Sequence, residues 1–254
     1  MLSFSEQKRL FHLIKEIGSE AEKIKKRDFD VVYKDDQSPL SQADTFVNNE
    51  LIKFIKSTNF PNVISEENKQ TDYSIRKNWE FFWLVDPIDG TKEFIKKNND
   101  YTINIALCKK DTPIFSVVYA PARGELFHAE KGKGAFLNGA VISDIKSNQD
   151  QYIIVASKSH LNKDTEDYIS KIKREKKVNL IQFGSSLKIC KVAEGVADIY
   201  PRFGPTMEWD ICAAHLILME AGGKCTNLNK EDIKYNKINL LNEYFIATRK
   251  GIDL

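Results

Sequence analysis

Two aspartates, Asp86 and Asp89, follow a continuous apolar run at residues 81–85. Such a run predicts a strand that is buried on both faces. Ionised carboxylates at the end of a buried strand are costly unless they are paired or bind a metal, and two this close repel each other unless a cation lies between them. Hard divalent cations prefer such oxygen ligands. A turn in which both side chains accept backbone hydrogen bonds explains the same residues, and the segment alone leaves both interpretations open.

Two further acidic sites stand at comparable positions in the chain. Glu66 and Glu67 follow the apolar pair at residues 63–64, and Asp210 follows Trp209 at the start of an apolar stretch that predicts a helix. Aspartate at a helix start is also a common N-cap, which is an ordinary structural role. Three carboxylate sites at strand ends and a helix start suggest convergence on a shared cation site, although spacing alone does not establish it.

Hydrophobic periodicity predicts the elements that would position these residues. The predicted helices span residues 5–27, about 41–55, 164–172, 187–194 and 210–221, and the last ends at a glycine pair. The predicted strands span 63–64, 81–85, 102–108, 114–119, 125–129, 152–156 and 178–183, and those from 102 to 129 predict an antiparallel meander. The uneven mixture predicts an α+β sandwich of two parts. A polar break at 148–151 would separate a domain at 1–149, with most of the metal ligands, from one at 150–254.

Composition and charge exclude several functional classes. The 254 residues carry 38 Lys and Arg against 36 Asp and Glu, and a formal charge of +2 does not support binding to a nucleic-acid polymer. A basic run at 171–177 is typical of a solvated helix face. Residues 1–18 lack the uninterrupted apolar stretch expected of a signal peptide, and no run approaches membrane-spanning length. The four cysteines lack zinc-site spacing, which favours buried free thiols. We therefore expect a cytoplasmic protein, with peripheral association on the cytoplasmic side of the inner membrane left open.

The hexapeptide D-P-I-D-G-T at residues 86–91, the glutamate pair upstream and E-W-D-I-C-A-A at 208–214 together resemble the inositol monophosphatase superfamily. The likeness extends from the first predicted helix to the last strand, and it implies a layered α/β/α/β/α sandwich. Stretches at 65–67, 86–94, 118–121, 184–188 and 200–206 resemble the bacterial 3′(2′),5′-bisphosphate nucleotidases of the CysQ type. Those enzymes hydrolyse adenosine 3′,5′-bisphosphate, a by-product of sulfate activation, so the resemblance implies a role in sulfur assimilation and nucleotide recycling.

The resemblance implies a cluster of two or three Mg²⁺ ions and roles for particular residues. The implied metal ligands are Glu66, Asp86, the Ile88 carbonyl, Asp89 and Asp210. The implied catalytic residues are Asp44, Thr91 and Glu66, of which Asp44 and Thr91 would position and activate the attacking water. Asp44 ends a family element at 38–44 in which Ser41 replaces the usual threonine. Ser41 and Asp44 also suit a helix capping box, and both roles can hold at once.

The implied substrate contacts divide between the metal site and the second half of the chain. Beside the metal they are Asp89, Gly90, Thr91 and Asp210, and for the base or a second phosphate they are Ser157, His160, Ser185, Lys188 and Arg202. Residues 184–188 predict a turn and a helix start, whose backbone amides, hydroxyls and lysine would suit a phosphate. Each has an ordinary alternative: a helix cap for Ser185, solvation for Lys188 and a surface loop for His160.

The leading hypothesis is a Mg²⁺-dependent nucleotidase in which water attacks the phosphate, so that no covalent nucleophile is needed. An inositol or sugar phosphate monophosphatase with the same metal core is the alternative, and Lys188 and Arg202 count against it because a monophosphate has no second phosphate. A non-catalytic metal or nucleotide sensor would be expected to lack Asp44, Asp86 or Thr91, and all three are present. The resemblance also implies inhibition by Li⁺ and a small-molecule partner, a nucleotide bisphosphate; a monomer and a homodimer are both compatible.

Overall fold

The computed structural model describes residues 1–27, 31–33, 39–142, 151–157 and 162–252. This described part of the chain forms seven α-helices. They are α1 (Phe4–Lys26), α2 (Gln42–Lys56), α3 (Tyr73–Arg76), α4 (Thr91–Ile95), α5 (Lys163–Glu175), α6 (Leu187–Ala193) and α7 (Glu208–Glu220). The five predicted helices are confirmed, with ends shifted by a few residues. The short α3 and α4 were not predicted, because a single turn is too short to show helical periodicity.

The strands form a two-stranded ribbon and two larger sheets. The ribbon pairs β1 (Val31–Tyr33) with β2 (Pro39–Ser41). The seven-stranded sheet contains, in chain order, β3 (Val63–Ser65), β4 (Phe81–Asp89), β5 (Thr102–Lys109), β6 (Thr112–Ala120), β7 (Glu125–Glu130), β8 (Ala135–Leu137) and β9 (Ala140–Val141). The five-stranded sheet contains β10 (Gln151–Ser157), β11 (Lys177–Phe183), β12 (Ile199–Arg202), β13 (Lys224–Asn227) and β14 (Phe245–Thr248), in the order β11-β10-β12-β14-β13. All the predicted strands are present, and the additional ones are too short for alternation to reveal them.

Strand β4 continues through Asp89, so the turn expected after residue 85 is instead a β-bulge within the strand. In the antiparallel pairing with β5, Asp86 lies opposite Asn104 and Asp89 lies opposite Thr102, with a register shift between them. Residues three apart on a regular strand face opposite sides. The extra residue in β4 brings Asp86 and Asp89 to the same side, which is a common use of bulges near active sites.

The helices and sheets stack in five layers. Helices α1 and α2 cover one face of the seven-stranded sheet and share a core with Trp83 and Val85. Helices α6 and α7 lie between the two sheets, and Phe82 and Leu84 point into that second core. Helix α5 packs on the outer face of the five-stranded sheet through Ile169. Alternate side chains of β4 therefore enter different cores, which confirms that this strand is buried on both faces, and the layering is the predicted α/β/α/β/α sandwich.

Several smaller predictions are also decided by the structure. The antiparallel meander is confirmed from β4 to β9, and the four cysteines are buried free thiols. The basic run at 171–177 is largely exposed, as a solvated face should be. None of the helices in the described ranges is both long and apolar enough to cross a membrane. The domain boundary at 148–151 falls at the edge of the undescribed segment 143–150 and stays a prediction.

Candidate active site

The bulge in β4 places two of the predicted metal ligands beside the other acidic sites. Asp86 is only 1% exposed. Burial raises the pKa of Asp86 well above its ordinary value of 3.8, and the nearby carboxylates of Glu66, Asp89, Asp210 and Asp44 raise it further. Asp86 and Asp89 share β4, but the other groups come from distant points in the chain, so the predicted convergence of the acidic sites is a property of the tertiary structure.

Glu66 and Asp210 reach this place from β3 and α7. The Glu66 amide donates a hydrogen bond to the Val85 carbonyl at 3.1 Å, which ties the glutamate turn to β4. Asp210 is the third residue of α7, so the N-cap role is wrong: the N-cap is Met207, whose amide donates a hydrogen bond to the Asp210 carboxylate at 2.8 Å. Burial raises the pKa of Asp210, and the neighbouring charge of Asp89 adds to the effect. The hydrogen bond at the start of α7 and the electrostatic role of Asp210 therefore coexist.

The chemistry of this acidic cluster fits a divalent cation. Within the described residues, the buried Oδ1 atom of Asp86 has no hydrogen-bond partner, and a buried ionised oxygen in that situation is costly without a positive charge nearby. The surrounding donors are oxygens, which Mg²⁺ prefers. Across the described ranges, no three His, Cys, Asp or Glu side chains surround one point closely enough to hold an ion as they stand. The assignment of Glu66, Asp86, Ile88, Asp89 and Asp210 as metal ligands therefore stays a prediction.

Asp44 and Thr91 are in contact, as their predicted shared role requires. The Thr91 hydroxyl lies 3.4 Å from Asp44 Oδ1 and 3.1 Å from the Ile88 carbonyl oxygen. Asp44 Oδ2 accepts hydrogen bonds from the Ser41 amide at 2.8 Å and the Ser41 hydroxyl at 2.5 Å, which confirms the capping box at the start of α2. Burial raises the pKa of Asp44 to about 7, although the bonds from Ser41 oppose the shift.

A cavity of about 260 Å³ opens beside the acidic cluster and collects most of the predicted substrate contacts. The predicted residues in its lining are Glu66, Asp89, Gly90, Thr91, Ser157, Ser185, Lys188, Arg202 and Asp210. Gly90 precedes α4 with φ +89, a left-handed conformation that favours glycine, and it sets the direction in which Thr91 starts that helix. His160 lies outside the described residues.

Lys188 and Arg202 bring positive charge into the same cavity. Lys188 is 6% exposed, so its solvated alternative is wrong. Its ammonium group donates to the Ser185 carbonyl at 2.6 Å. Burial lowers the pKa of Lys188 to about 8, while the nearby Asp89 carboxylate opposes the shift. Arg202 donates through Nη2 to the Pro205 carbonyl at 2.8 Å, and its buried Nε has no partner among the described residues, which leaves it a donor for an anion.

The turn at 184–188 and the following helix start are confirmed, and two of the backbone amides expected to suit a phosphate are already bonded to carboxylates. The Gly184 amide donates to Asp100 Oδ2 at 3.3 Å, and the Ser186 amide donates to Asp89 Oδ2 at 2.6 Å. These two amides are therefore not free to bind a phosphate, whose binding at this turn stays a prediction. Gly184 is needed at this turn because a Cβ would lie 2.5 Å from the Asp100 carbonyl oxygen. Ser185 does not cap α6.

Ser186 and Asn104 contact the acidic cluster and were missed by the sequence reasoning. The Ser186 hydroxyl lies 2.9 Å from Asp89 Oδ2, and the Asn104 side-chain amide lies 3.3 Å from the same oxygen. Asn104 is a polar residue within an otherwise apolar predicted strand, and such a residue on a buried strand is a usable signal. Ser186 carried no comparable signal, since a serine before a helix is ordinary.

The chain belongs to the inositol monophosphatase family, whose sequence profile matches residues 6–252. A 3′(2′),5′-bisphosphate nucleotidase CysQ of Buchnera aphidicola is 39% identical over 226 residues, which are 86% of this chain and 83% of that protein. The crystal structure of CysQ from Bacteroides thetaiotaomicron has a TM-score of 0.83 at 39% identity and covers 94% of this chain and 95% of that one. An IMPase/NADP phosphatase complexed with Mg²⁺ and phosphate has a TM-score of 0.80 over 96% of this chain and 90% of that one; at 22% identity, this likeness concerns the fold alone.

Proposed function

We propose that the protein is a Mg²⁺-dependent 3′(2′),5′-bisphosphate nucleotidase that hydrolyses adenosine 3′,5′-bisphosphate to AMP and phosphate. The observation that carries the proposal is that one cavity joins the carboxylates of Glu66, Asp89 and Asp210 to the cations of Lys188 and Arg202. A substrate with two phosphates needs both kinds of surface, one for the cleaved phosphate and one for the retained phosphate. Relatives that are 3′(2′),5′-bisphosphate nucleotidases support the same substrate class.

The carboxylate side of the cavity would hold two or three Mg²⁺ ions, in a family that is metal-dependent. The residues proposed to hold them are Glu66, Asp86, Asp89, Asp210 and the Ile88 carbonyl. When bound, Mg²⁺ polarises a phosphate, lowers the pKa of a coordinated water and neutralises charge on the leaving oxygen. The protein's own contribution is to hold several buried negative charges together from β3, β4 and α7, at a cost that a cation would offset.

Asp44 and Thr91 would position the attacking water and take up its proton. The Thr91 hydroxyl has one hydrogen, which Asp44 Oδ1 or the Ile88 carbonyl can accept, and its lone pairs remain available to a water. The Asp44 carboxyl has a pKa of about 7, so near neutral pH it can both accept a proton and release it. Ser41 holds the other oxygen, Oδ2, and thereby directs Oδ1 toward Thr91.

Lys188 and Arg202 would bind the phosphate that is not cleaved. With a pKa of about 8, Lys188 is mostly protonated at pH 7, and Arg202 presents a guanidinium that suits a planar two-point contact with phosphate oxygens. Both residues line the same cavity, where a second phosphate would compensate their charges. An inositol or sugar monophosphate would leave them without that partner, so this alternative is not favoured.

A comparison of two nucleotides tests the second-phosphate site directly. Phosphate release with Mg²⁺ present would be measured for adenosine 3′,5′-bisphosphate and for 3′-AMP, which lacks the 5′-phosphate. We expect the wild type to prefer the bisphosphate at least tenfold in kcat/KM, and Arg202→Ala to remove most of that preference while retaining activity on 3′-AMP. Lys131→Ala, at an exposed lysine outside the cavity lining, is the matched control.

The outcomes of this comparison separate the competing functions. Equal rates on both nucleotides in the wild type would overturn the second-phosphate assignment. Inositol 1-phosphate is assayed beside them as a third substrate. Faster phosphate release from it than from either nucleotide would favour the monophosphatase alternative and leave the metal core intact. No release from any of the three would favour a non-catalytic sensor.

The setting of the enzyme is also a proposal. We propose a cytoplasmic protein, with peripheral association on the cytoplasmic side of the inner membrane as the alternative, and cell fractionation distinguishes the two. Its partner would be the small nucleotide substrate rather than a nucleic-acid polymer. A monomer and a homodimer are separated by light scattering during size-exclusion chromatography.

A further inference from the structure

The carboxylate of Asp89 is held in one orientation by a small polar group at its back. Its Oδ2 atom accepts hydrogen bonds from the Ser186 amide at 2.6 Å and the Asn104 side-chain amide at 3.3 Å, and the Ser186 hydroxyl oxygen lies 2.9 Å from it. Within the described residues, every hydrogen bond to this side chain reaches Oδ2. One oxygen is therefore saturated with donors, and the other is left for a ligand in the cavity.

The Ser186 hydroxyl also connects the two halves of the site. It accepts a hydrogen bond from the Asn104 side-chain amide at 2.8 Å and lies 2.5 Å from the main-chain oxygen of Asp210. A hydroxyl has a single hydrogen. Because Asp89 Oδ2 already has two N–H donors, the hydrogen of Ser186 is best placed on the Asp210 carbonyl. In that arrangement Ser186 joins the first turn of α7 to the bulged end of β4.

Asn104 has a second relation to the acidic cluster. It lies directly opposite Asp86 in the pairing of β4 with β5, so the two side chains share one face of the sheet. Asn104 is 1% exposed, and within the described ranges Oδ1 of Asn104 and Oδ1 of Asp86 are both buried acceptors without a donor. Two buried acceptors without donors on one face of the sheet are expected where a positive charge binds. The side-chain nitrogen of Asn104 thus supports Asp89, while its side-chain oxygen has no hydrogen-bond partner among the described residues.

From these contacts we propose that Ser186 and Asn104 are positioning residues, which fix the orientation of Asp89 and the distance between Asp89 and Asp210 for divalent-cation binding. Groups that hydrogen-bond to metal ligands typically change metal affinity 10- to 100-fold when they are removed. The proposal rests on the metal-dependent phosphatase proposed above, and it adds two residues that do not themselves carry charge.

The direct test is Mn²⁺ binding to the metal-free protein without substrate, followed through the electron paramagnetic resonance signal of free Mn²⁺. We expect Ser186→Ala to raise the Mn²⁺ dissociation constant 10- to 100-fold. Ser186→Thr, which restores a hydroxyl, should bring it back to within about threefold of the wild type. Asn104→Ala should weaken binding in the same direction, and it serves as the second variant if Ser186→Ala fails to fold.

Ser116→Ala is the matched control. Like Ser186, Ser116 is a buried serine, but it lies in β6 of the seven-stranded sheet, and its hydroxyl has no hydrogen-bond partner among the described residues. It makes no hydrogen bond to the acidic residues, so its removal should leave Mn²⁺ binding unchanged and stability equal or slightly higher.

Kinetics separate a positioning role from a purely structural one. In Ser186→Ala the Mg²⁺ concentration for half-maximal activity should rise, while kcat at saturating Mg²⁺ and KM for the nucleotide stay within about threefold of the wild type. If folded Ser186→Ala and Asn104→Ala both bind Mn²⁺ as tightly as the wild type, the positioning role is wrong and the metal-dependent function stands. If the wild type itself binds no Mn²⁺, the metal assignment fails and this proposal fails with it.

Discussion

Replacement of Asp86 by asparagine should make the metal-free protein more stable while it removes the activity. The carboxyl is fully buried and is surrounded by other carboxylates, which raise its pKa well above 3.8. Each unit of pKa difference corresponds to about 1.4 kcal/mol. At pH 7 the carboxyl ionises freely in the unfolded state, whereas the folded protein must either keep it protonated or hold its charge in the interior. This difference destabilises the folded state by up to about 4 kcal/mol, the limit set by the interval from 3.8 to 7. Asparagine has nearly the same shape and avoids that penalty.

The sign of the pH dependence follows from the same shift. Below pH 3.8 the carboxyl is protonated in both the folded and the unfolded states, so the penalty is absent. It grows as the pH rises from 3.8 toward the raised pKa of the folded state. The stabilising effect of Asp86→Asn should therefore be largest near neutral pH and should disappear near pH 4.

Urea unfolding in EDTA at pH 7 and near pH 4 measures this effect. Asp167→Asn, at an exposed aspartate, is the control and should change the free energy of unfolding by less than about 0.5 kcal/mol. Added Mg²⁺ should stabilise the wild type, by about 2.7 kcal/mol at a hundred times the dissociation constant, and should not stabilise Asp86→Asn. If Asp86→Asn is no more stable than the wild type in EDTA at pH 7, the reasoning about clustered charge is refuted.

Four further results are expected. Asp44→Asn should lower kcat about 100-fold or more with little change in KM, because it keeps the shape of the side chain and loses the proton acceptor; steady-state phosphate release checks it. His215 is buried beside Tyr235, and burial lowers its pKa to about 4. The protein should therefore lose about 3 kcal/mol of stability as the pH falls from about 6.5 to 4, because the unfolded state binds the proton more tightly. In urea unfolding, His215→Gln should show a shallower dependence of stability on pH. Gly184→Ala should destabilise the protein by about 1–3 kcal/mol through its contact with the Asp100 carbonyl, seen as a lower thermal midpoint. Millimolar LiCl, compared with equal NaCl at saturating Mg²⁺, should inhibit phosphate release, and unchanged activity would contradict the family expectation.

The fold was largely predictable because its elements have strong local patterns. The continuous apolar run at 81–85 predicted a strand buried on both faces, and Phe82 and Trp83 do enter different cores. The helix at 210–221 was predicted from an apolar stretch that ends at a glycine pair, and α7 is indeed buried between the two sheets. Such patterns depend on neighbours within a few residues, so they can be read without knowledge of the tertiary structure.

The site was predictable only in its residue types. The sequence indicated that Asp86, Asp89, Glu66 and Asp210 could share a cation, yet it left ordinary turns and caps as alternatives for each. Asp210 is not the N-cap of α7, yet its carboxylate accepts a hydrogen bond from the amide of the N-cap residue, Met207, and also lies near Asp89. The motif resemblance selected among these alternatives, which spacing alone did not do.

The tertiary structure alone decided how these groups face each other. The bulge that turns Asp86 and Asp89 to one side depends on the register of β4 against β5, and single-strand alternation predicts the opposite. The Ser186 amide, expected to bind phosphate, instead bonds to Asp89, whose position is set by a strand almost a hundred residues earlier. Local sequence determines which elements form, whereas contacts between distant segments determine which hydrogen-bonding groups are already occupied. For that reason, the class of site could be read from the chain, and the partners of its carboxylates could be read only from the fold.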